Sequence, residues 1–494
     1  MAVKTYGNYI NGQWIPSESG QWFESKSPVT GDVLAKFAKG TRADAVRAID
    51  AAEAAFPAWS KMPPPKRGLI LLRAAQIMRA RKDDLGAVVS SEMGKVIAEG
   101  KGDVQEAIDF LEYISGEGRR LLGETTPSEL PNKFCMTIRR PIGVVGCITP
   151  WNFPMAIPIW KIGAALISGN TIIFKPASIT PLCVARLVEI FEEAGLPPGV
   201  LNYVTGGGGT VGMEIVENPR VKSISFTGGV PAGRDIYVAA AKNLKPVELE
   251  LGGKNPQIVM DDANLELALD GVLFGAFGTA GQRCTATSRL ILHEKVYDQF
   301  LKALVARAES FVVGDPLDPH TDMGPVADHA AGESIMEYIE IGKKEAKLVT
   351  GGYRLTGGMY DQGFFIKPTI FETKHGTRIS TEEIFGPVLS VIKVRDFDEA
   401  IRVANDVEYG LSSSIYTHDV NLAFRAMEEL ETGITYINAP TIGAEVHLPF
   451  GGVKNTGNGG REAGTSAIDE FTELKTVFVD YSNRLQKAQI EDEK

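Results

Sequence analysis

The order of apolar and polar positions along the chain predicts a helical first part that begins with a short hairpin. Asn11 and Gly12 separate two short apolar segments, and this pattern is typical of a β-hairpin. From an N-cap at Thr41, apolar residues recur at helical spacing until the prolines at 63–65. Further long helices are predicted from Lys66 to about Leu122.

The pattern changes near Met136, where β-rich segments begin to alternate with helical ones. MTIRRPIGVVGCIT predicts two strands or one bent strand, and NTIIFKPA, LNYVTG and VKSISFTGG predict further strands separated by helices. The alternation starts again after Gly253 with NPQIVM and SRLILHE and continues to about Ile437. Near the end of the chain, TELKTVFVDY predicts a last strand. Alternation of this kind favours an α/β fold with parallel sheets and right-handed crossovers.

Composition and charge narrow the classes of protein that fit this pattern. The chain has 494 residues, of which 44% are hydrophobic and 23% charged, typical of a globular protein of several domains. A formal net charge of -11 argues against a nucleic-acid partner, which needs a basic face on the protein. The sequence shows no signal peptide and no apolar stretch long enough to span a bilayer, so we expect a cytoplasmic protein without membrane contact.

Cysteines and histidines are few and scattered. The four cysteines form no CxxC pair, and the six histidines are isolated from one another. These spacings predict neither a disulfide framework nor a metal site.

Three segments hold residues suited to nucleophilic chemistry, each with a structural alternative. Small residues surround Cys284 in FGTAGQRC, which lets a substrate approach the thiol, and Arg283 could favour the thiolate; the alternative is a buried core cysteine. Glu248 and Glu250 share one side of a strand in VELELGGK, as a candidate general base or as solvated residues of an edge strand. Asn152 in ITPWNFP could donate to an oxyanion or form an Asx turn.

Two glycine-rich turns between strands and helices are candidate phosphate sites. Gly207, Gly209 and Gly212 form a GxGxxG pattern, but the acidic residue that a dinucleotide site needs about twenty positions later is absent, so a tight turn is the alternative. The second turn, from Gly228 to Gly233, precedes a predicted helix whose N-terminus could bind a pyrophosphate.

Seven segments occur in one order along the chain: ITPWNFP, FKPAS, FTGG, LELGGK, GQRC, EEIFGPV and PFGGVK. In this order they resemble the aldehyde dehydrogenase superfamily over essentially the whole chain. The resemblance implies a Rossmann-like NAD(P)-binding domain at residues 1–120 and 142–252 and an α/β catalytic domain at 253–466. It also implies a small β oligomerisation arm at 121–141 and 467–494, which would build a homodimer or homotetramer.

The resemblance assigns catalytic roles to the three candidate residues. Cys284 is the expected nucleophile, Glu250 the general base, and Asn152 the oxyanion donor together with the backbone N–H of Cys284. The implied reaction is NAD(P)-dependent oxidation of an aldehyde to a carboxylic acid through a cysteine thiohemiacetal and thioester. A CoA-acylating enzyme is disfavoured because Glu250 is present, and a non-catalytic structural or binding protein on the same scaffold is a further alternative.

Cofactor contacts are also implied by the matching motifs. Lys175 is expected at the adenine ribose, Gly228 and Gly229 at the pyrophosphate, and Glu383 and Phe385 at the nicotinamide ribose and ring. The full set of expected cofactor-binding residues is Thr149, Pro150, Trp151, Lys175, Ser178, Gly209, Gly212, Phe226, Thr227, Gly228, Gly229, Gly233, Leu251, Glu383 and Phe385.

A serine near the expected ribose site departs from the family pattern. Ser178 stands three residues after Lys175, where many NAD-preferring members have a glutamate that would repel a 2′-phosphate. We therefore expect NADP or NAD to be used, with NADP favoured; retained NAD preference is the alternative.

A second departure concerns the substrate. Arg283 stands where many members have a small or apolar residue, and its guanidinium could bind a remote carboxylate in a bidentate manner. This predicts an acid semialdehyde, unless Arg283 pairs with an acidic neighbour and selects nothing. Phe153, Trp160 and Phe450 are expected as apolar walls, and His447 lies in the expected closing loop.

The run GAEVHLPFGGVKNTGNG, which also contains Glu445, looks most like the α-ketoglutaric semialdehyde (2,5-dioxopentanoate) dehydrogenases. Oxidation of a broad range of aldehydes, or of lactaldehyde, glyceraldehyde or betaine aldehyde, is the alternative within the same superfamily.

Overall fold

Helices and strands follow the predicted alternation along residues 3–490, the part of the chain that the computed structural model describes. Residues 1–2 of the predicted cofactor domain and residues 491–494 of the predicted arm lie outside the described part. The strands are β1 (Lys4–Tyr6), β2 (Asn8–Ile10), β3 (Gln13–Ile15), β4 (Trp22–Lys26), β5 (Val33–Ala38), β6 (Thr125–Pro127), β7 (Lys133–Pro141), β8 (Val144–Ile148), β9 (Thr171–Lys175), β10 (Leu201–Tyr203), β11 (Val221–Thr227), β12 (Val247–Glu250), β13 (Asn255–Val259), β14 (Thr287–His293), β15 (Lys347–Thr350), β16 (Thr369–Thr373), β17 (Val388–Val394), β18 (Tyr409–Gly410), β19 (Ser412–Tyr416), β20 (Ile434–Ile437), β21 (Val453–Lys454) and β22 (Thr472–Asp480).

The α-helices surround these strands. They are α1 (Arg42–Lys61), α2 (Pro64–Ala80), α3 (Lys82–Met93), α4 (Ile97–Glu117), α5 (Ala156–Ser168), α6 (Pro181–Glu193), α7 (Met213–Glu217), α8 (Val230–Ala241), α9 (Leu265–Phe277), α10 (Tyr297–Glu309), α11 (His329–Glu345), α12 (Arg378–Thr381), α13 (Phe397–Asn405), α14 (Val420–Glu429) and α15 (Ser466–Glu470).

Local signals at the start of the chain are confirmed. Asn11 and Gly12 have φ values of 51° and 76°, the left-handed conformation that a tight hairpin turn needs, and β2 pairs antiparallel with β3 on either side of them. Thr41 caps α1 through a capping box with Asp44, which satisfies N–H groups that the first helical turn leaves free. The segment after Met136, predicted as two strands or one bent strand, forms the end of β7 and the separate strand β8.

A seven-stranded sheet lies in the first half of the fold, in the order β12-β11-β8-β9-β10-β2-β3. The strands from β12 to β10 are parallel, and β2 joins β10 antiparallel. One face packs against α2, α4, α5 and α6, and the other against α1, α7 and α8. Every residue of α5 is buried, which explains its almost uniformly apolar sequence.

A second seven-stranded sheet has the order β15-β16-β17-β14-β13-β19-β20. Its strands are parallel except for the edge strand β15. Helices α9, α10 and α11 cover one face, and α13 and α14 contribute to the core on the other. Two such sheets with helices on both faces confirm the predicted α/β fold class.

The segments that the sequence assigns to an arm form a separate antiparallel sheet in the order β22-β7-β6. β22 pairs with β7 along its whole length, from Lys133 opposite Asp480 to Pro141 opposite Thr472. Large apolar side chains on this sheet are exposed, among them Leu474 and Phe478, each with 63% of its surface accessible. Within residues 3–490, no helix combines the length and hydropathy needed to cross a bilayer.

Candidate active site

Two cavities adjoin Cys284. A cavity of about 390 Å³, the glycine-lined cavity, has a lining of Ile148, Thr149, Pro150, Trp151, Asn152, Ile157, Lys175, Gly208, Phe226, Thr227, Gly228, Gly229, Leu251, Gly252, Cys284, Glu383 and Phe385. A cavity of about 170 Å³, the aromatic-lined cavity, has a lining of Glu106, Phe153, Ile157, Trp160, Thr227, Glu250, Leu251, Phe274, Arg283, Cys284, Thr285, Ile442, Gly443, Ala444, Phe450 and Glu462. Because Cys284 belongs to both linings, a group in one cavity can meet a group in the other at its thiol.

The loop after α9 holds Cys284 in this position. Thr279, Ala280 and Gly281 have φ values of 52°, 53° and 70°, three successive left-handed residues that turn the chain sharply. The side-chain amide of Asn255 donates to the backbone carbonyl oxygen of Cys284 at 2.7 Å. The Asn255 contact thus holds the backbone at Cys284 shortly after this sharp turn.

Cys284 is partly accessible, whereas the other cysteines of the chain are buried. Burial, followed by the nearby Glu250 and Glu383 carboxyls, raises the pKa of the Cys284 thiol. The geometry does not support the expectation that Arg283 favours the thiolate, because its guanidinium is engaged with Glu99. The core-cysteine alternative is also wrong, since the thiol reaches two cavities.

Glu250 ends β12 at the edge of the first sheet, yet it is only 2% exposed. The segment around Thr456 and Gly457 covers this edge, with the Leu251 N–H donating to the Thr456 carbonyl oxygen at 2.7 Å. The solvated-edge alternative is therefore wrong. Both carboxyl oxygens of Glu250 are buried and have no hydrogen-bond partner within residues 3–490. Burial, then the neighbouring Glu462, raises the pKa of Glu250 well above its ordinary value.

A buried lysine, not singled out from the sequence, lies behind Glu250. Lys161 in α5 forms a short ion pair with Glu462 and donates to the Ser225 hydroxyl at 2.8 Å. Thr227 also donates to Glu462, at 3.2 Å. The positive charge of Lys161 lowers the pKa of Glu250 and so opposes the effect of burial. A charged residue in an otherwise apolar helix was the sequence signal that could have revealed Lys161.

Asn152 lies in the loop between β8 and α5 and is 3% exposed. Its side chain shares the glycine-lined cavity with Cys284 and makes no hydrogen bond within residues 3–490, so no Asx-turn bond is present there. Asp103 accepts from the backbone N–H of Ala156 at 2.8 Å and thereby fixes the start of α5 after this loop. The free amide of Asn152 is therefore available to an oxygen held next to the thiol.

Most of the expected cofactor residues line the glycine-lined cavity. The exceptions are Ser178, Gly209, Gly212 and Gly233. Gly212 and Gly233 support the lining from behind, since a Cβ at Gly233 would lie 2.6 Å from a methyl carbon of Leu251 and one at Gly212 would lie 3.5 Å from Lys175. Gly209 is exposed, and the adjacent Gly208 lines the cavity in its place.

Ser178 is exposed and lines a different cavity, with Asp328 and Gln362. Ser178 was expected to contact the cofactor, but it is absent from the lining of the glycine-lined cavity. The residue follows Lys175 by three positions, at the turn that leads into α6.

Three chemical features of the glycine-lined cavity suit a dinucleotide. Gly229 precedes α8, whose first N–H groups have no side-chain cap and can bind a pyrophosphate. Lys175 is buried, and burial lowers its pKa to about 8; its ammonium donates to the Pro176 carbonyl oxygen at 2.9 Å. Glu383 accepts the Gly253 N–H at 2.8 Å, and its carboxyl can accept ribose hydroxyls. The cavity thus offers donors for phosphate and acceptors for sugar.

Aromatic side chains form the walls of the other cavity. Phe153, Trp160 and Phe450 are in its lining as expected, with the Trp160 and Phe450 rings 5.0 Å apart. His447 is absent from this lining; it is half-exposed and lies 3.5 Å from Glu445, so its prediction as a substrate contact is not supported by the geometry. Phe274 contributes a wall that the sequence did not reveal.

Arg283 also lines the aromatic-lined cavity, but it has an acidic partner. Its Nη2 donates to Glu99 at 2.6 Å and its Nε donates to the Thr279 hydroxyl at 3.0 Å. Glu99 also accepts the backbone N–H of Thr279 at 2.9 Å, so its charge is shared between two donors. The pairing that was weighed as an alternative is present, and within residues 3–490 the Nη1 of Arg283 has no hydrogen-bond partner.

Comparison with known proteins places this arrangement in a family. A profile of the aldehyde dehydrogenase family matches residues 14–477. The α-ketoglutaric semialdehyde dehydrogenase of Bacillus subtilis (strain 168) is 43% identical over 479 residues, which cover 96% of this chain and 98% of that protein. The α-ketoglutarate semialdehyde dehydrogenase of Haloferax volcanii is 45% identical over 478 residues, 96% of this chain and 99% of that protein. The crystal structure of betaine aldehyde dehydrogenase from Staphylococcus aureus, in complex with NAD+, has a TM-score of 0.95 at 34% identity and covers 99% of this chain and 97% of that one. The chain therefore belongs to the aldehyde dehydrogenase family.

Proposed function

We propose that this protein oxidises a short acid semialdehyde, α-ketoglutaric semialdehyde, to the dicarboxylic acid with a nicotinamide cofactor. The observation that carries the proposal is the convergence of three groups, the Cys284 thiol, the free Asn152 amide and the buried Glu250 carboxyl, where two cavities adjoin. The names of the Bacillus and Haloferax relatives support the choice of substrate.

The chemistry begins at Cys284. Its thiolate attacks the aldehyde carbon, and the developing oxyanion accepts hydrogen bonds from the Asn152 amide and the Cys284 backbone N–H. An oxidised nicotinamide, when bound, would accept the hydride that leaves the former aldehyde carbon as its C–H bond breaks. The enzyme then holds a thioester on Cys284.

Glu250 performs the second half of the reaction. Its ionised carboxylate removes a proton from a water molecule, the hydroxide adds to the thioester carbon, and the carbon–sulfur bond breaks to release the acid and the Cys284 thiolate. The raised pKa of Glu250 makes it an effective proton acceptor once ionised. Lys161 opposes this rise and so keeps part of the ionised form available.

The glycine-lined cavity is the proposed cofactor site. Lys175 and Glu383 would hold the two riboses and the start of α8 the pyrophosphate. The Staphylococcus relative binds NAD+. For this chain we propose use of both NADP and NAD, with NADP favoured. Ser178 lies outside the glycine-lined cavity but only three residues after Lys175, which lines it, and without a carboxylate at position 178 a 2′-phosphate on the nearby ribose meets no repulsion from there.

The domain division and the assembly belong to the same proposal. The first sheet would form the cofactor domain, the second the catalytic domain, and the sheet β22-β7-β6 the oligomerisation arm. Exposed Phe134, Leu474 and Phe478 on the arm support contact with another copy of the chain, since exposed apolar groups of this size usually mark an interface. Light scattering of the wild type and of Phe478→Lys would test this; a monomeric wild type would contradict it.

Arg283 is proposed to bind the substrate carboxylate. Glu99 and Thr279 fix two sides of the guanidinium, and its Nη1 remains free to donate in the cavity that contains Cys284. A fixed guanidinium loses little side-chain entropy on binding an anion.

The test is the ratio of kcat/KM for α-ketoglutaric semialdehyde to kcat/KM for propanal, in the wild type, Arg283→Ala and Arg283→Lys. Because both substrates report on the same enzyme, the ratio is independent of the fraction that is folded. Loss of a hydrogen bond to a charged group should lower the ratio about tenfold to hundredfold in Arg283→Ala. Arg425→Ala, at an exposed arginine paired with Glu429, is the matched control. A ratio near one in the wild type, unchanged in Arg283→Ala, would leave a broad-specificity aldehyde dehydrogenase.

A further inference from the structure

The aromatic-lined cavity contains a second polar group for which the proposed reaction has no use. Glu106, on α4, is in its lining together with Arg283 and Cys284. Within residues 3–490, no side chain or backbone group forms a hydrogen bond or ion pair with its carboxyl. Its neighbour on the helix, Gln105, by contrast bonds to both Lys82 and Asp109. A carboxyl that the fold leaves free in a substrate-sized cavity is available to a ligand.

Charged and titratable groups from four elements surround Glu106. One is Tyr436 on β20, whose pKa is raised to about 12 by burial and then by Glu106. Asp103 and Asp109 lie on the same helix, Lys95 lies in the turn before it, and Arg283 reaches the cavity from the Cys284 loop. Burial, then Asp103, raises the pKa of Glu106 to about 8, while Lys95 and Arg283 act in the opposite direction. At neutral pH the carboxyl therefore keeps its proton and presents an O–H donor to the cavity.

Aromatic rings line this cavity near Arg283: the ring centroids of Phe153 and Phe274 lie 5.7 and 5.1 Å from the Cζ atom of its guanidinium. Arg283 and Glu106 share the lining of this cavity with Cys284, and each has polar atoms without a hydrogen-bond partner within residues 3–490, so both are available to the far end of a substrate whose aldehyde meets Cys284. An α-keto acid has two oxygen-bearing groups at that end, a carboxylate and the adjacent carbonyl. A simple ω-semialdehyde has the carboxylate alone.

We propose that Glu106 determines specificity for a 2-oxo acid: its carboxyl O–H donates to the 2-oxo oxygen while Arg283 binds the carboxylate. This inference rests on the proposed function and extends it, because Arg283 alone would accept any acid semialdehyde of suitable length. Above about pH 8 Glu106 ionises, the donor is lost, and the anionic carboxyl repels the anionic substrate. The KM for the 2-oxo acid semialdehyde should then rise.

The experiment compares two substrates of equal length, 2,5-dioxopentanoate and 5-oxopentanoate, which differ in the 2-oxo group. The ratio of their kcat/KM values is measured at pH 7 in the wild type, Glu106→Leu and Glu106→Gln. One hydrogen bond corresponds to a ratio of about ten, so the wild type should prefer 2,5-dioxopentanoate by about that factor and Glu106→Leu should show a ratio near one. Glu106→Gln keeps an N–H donor and should retain most of the preference.

A pH series from 6.5 to 9.5 separates a binding role from a packing role. The KM of the wild type for 2,5-dioxopentanoate should rise above pH 8, and the KM of Glu106→Gln should not, because an amide does not ionise. Glu112→Ala, at an exposed residue of the same helix paired with Arg79, is the control and should behave as the wild type.

Two results would overturn the inference in distinguishable ways. An acid preference in the wild type with the same substrate ratio in Glu106→Leu would refute the role of Glu106 alone. Equal rates of the wild type on both acid semialdehydes and on propanal would refute the proposed function, and the inference with it.

Discussion

Replacement of Gly281 by alanine should inactivate the enzyme by moving the proposed nucleophile, Cys284, while leaving the protein folded. Gly281 lies three residues before Cys284, with φ +70°, and a Cβ there would lie 2.1 Å from the carbonyl oxygen of Gly386. Real Cβ contacts of this kind are no closer than about 3 Å, so the two loops must separate by about 1 Å. The left-handed backbone adds about 1–2 kcal/mol for any residue with a Cβ.

A displacement of about 1 Å at a reacting group costs on the order of a hundredfold in rate. We therefore expect kcat/KM of Gly281→Ala to fall at least about a hundredfold, equivalent to about 2.7 kcal/mol of transition-state stabilisation. The assay is the initial rate of NAD(P)H formation, with circular dichroism and thermal denaturation as measures of folding.

Gly376→Ala is the matched control for this variant. Gly376 has φ +94°, but a Cβ there would have no atom within 4 Å. It should therefore share the backbone cost and keep its activity. Wild-type activity in Gly281→Ala, or an equal loss in Gly376→Ala, would refute the argument that contact with Gly386 positions Cys284.

Three other variants test separate parts of the site and the fold. Ser178→Glu should raise the KM for NADP about tenfold and leave the KM for NAD unchanged, because a carboxylate repels the 2′-phosphate. Equal changes in both KM values, measured by steady-state kinetics, would contradict this prediction. Lys161→Met removes the charge that lowers the pKa of Glu250. The rising limb of the kcat–pH profile should therefore move to higher pH by on the order of one unit. A limb at the same pH as in the wild type would show that Lys161 has no electrostatic effect on Glu250. Glu92→Ala removes the carboxylate that accepts two backbone N–H groups at the start of α6, at 2.7 and 2.8 Å. The free energy of unfolding, measured by denaturant titration, should fall by about 3 kcal/mol. Glu193→Ala, at the exposed end of the same helix, is the control and should lower it little.

Much of the local structure follows from neighbouring residues. The turn at Asn11 and Gly12 and the capping box at Thr41 need contacts within a few positions, and both are present as predicted. The alternation of strand and helix predicted two parallel sheets, because a buried strand and an amphipathic helix differ in their apolar period. Seven short motifs in order were specific enough to indicate the family.

The electrostatic partners of the site were beyond the reach of sequence patterns. Lys161 pairs with Glu462 across 301 positions, and Arg283 pairs with Glu99 across 184. The sequence raised the possibility of an acidic partner for Arg283 without being able to name it. Which acidic residue pairs with which basic residue depends on how the two sheets and their helices pack. No local sequence pattern shows which residues from distant parts of the chain will meet.

The positions of His447 and Ser178 depended on tertiary structure for the same reason. Ser178 belongs to FKPAS and His447 precedes PFGGVK, and both motifs contribute residues to the cavities. Even so, the His447 side chain is half-exposed and Ser178 lines a neighbouring cavity. The sequence by itself determined the elements and the family, and it indicated the roles proposed for Cys284, Glu250 and Asn152, since these depend on residue type and local order. Tertiary structure alone decided which polar groups are buried together, because burial and charge pairing arise from contacts between segments far apart in the chain.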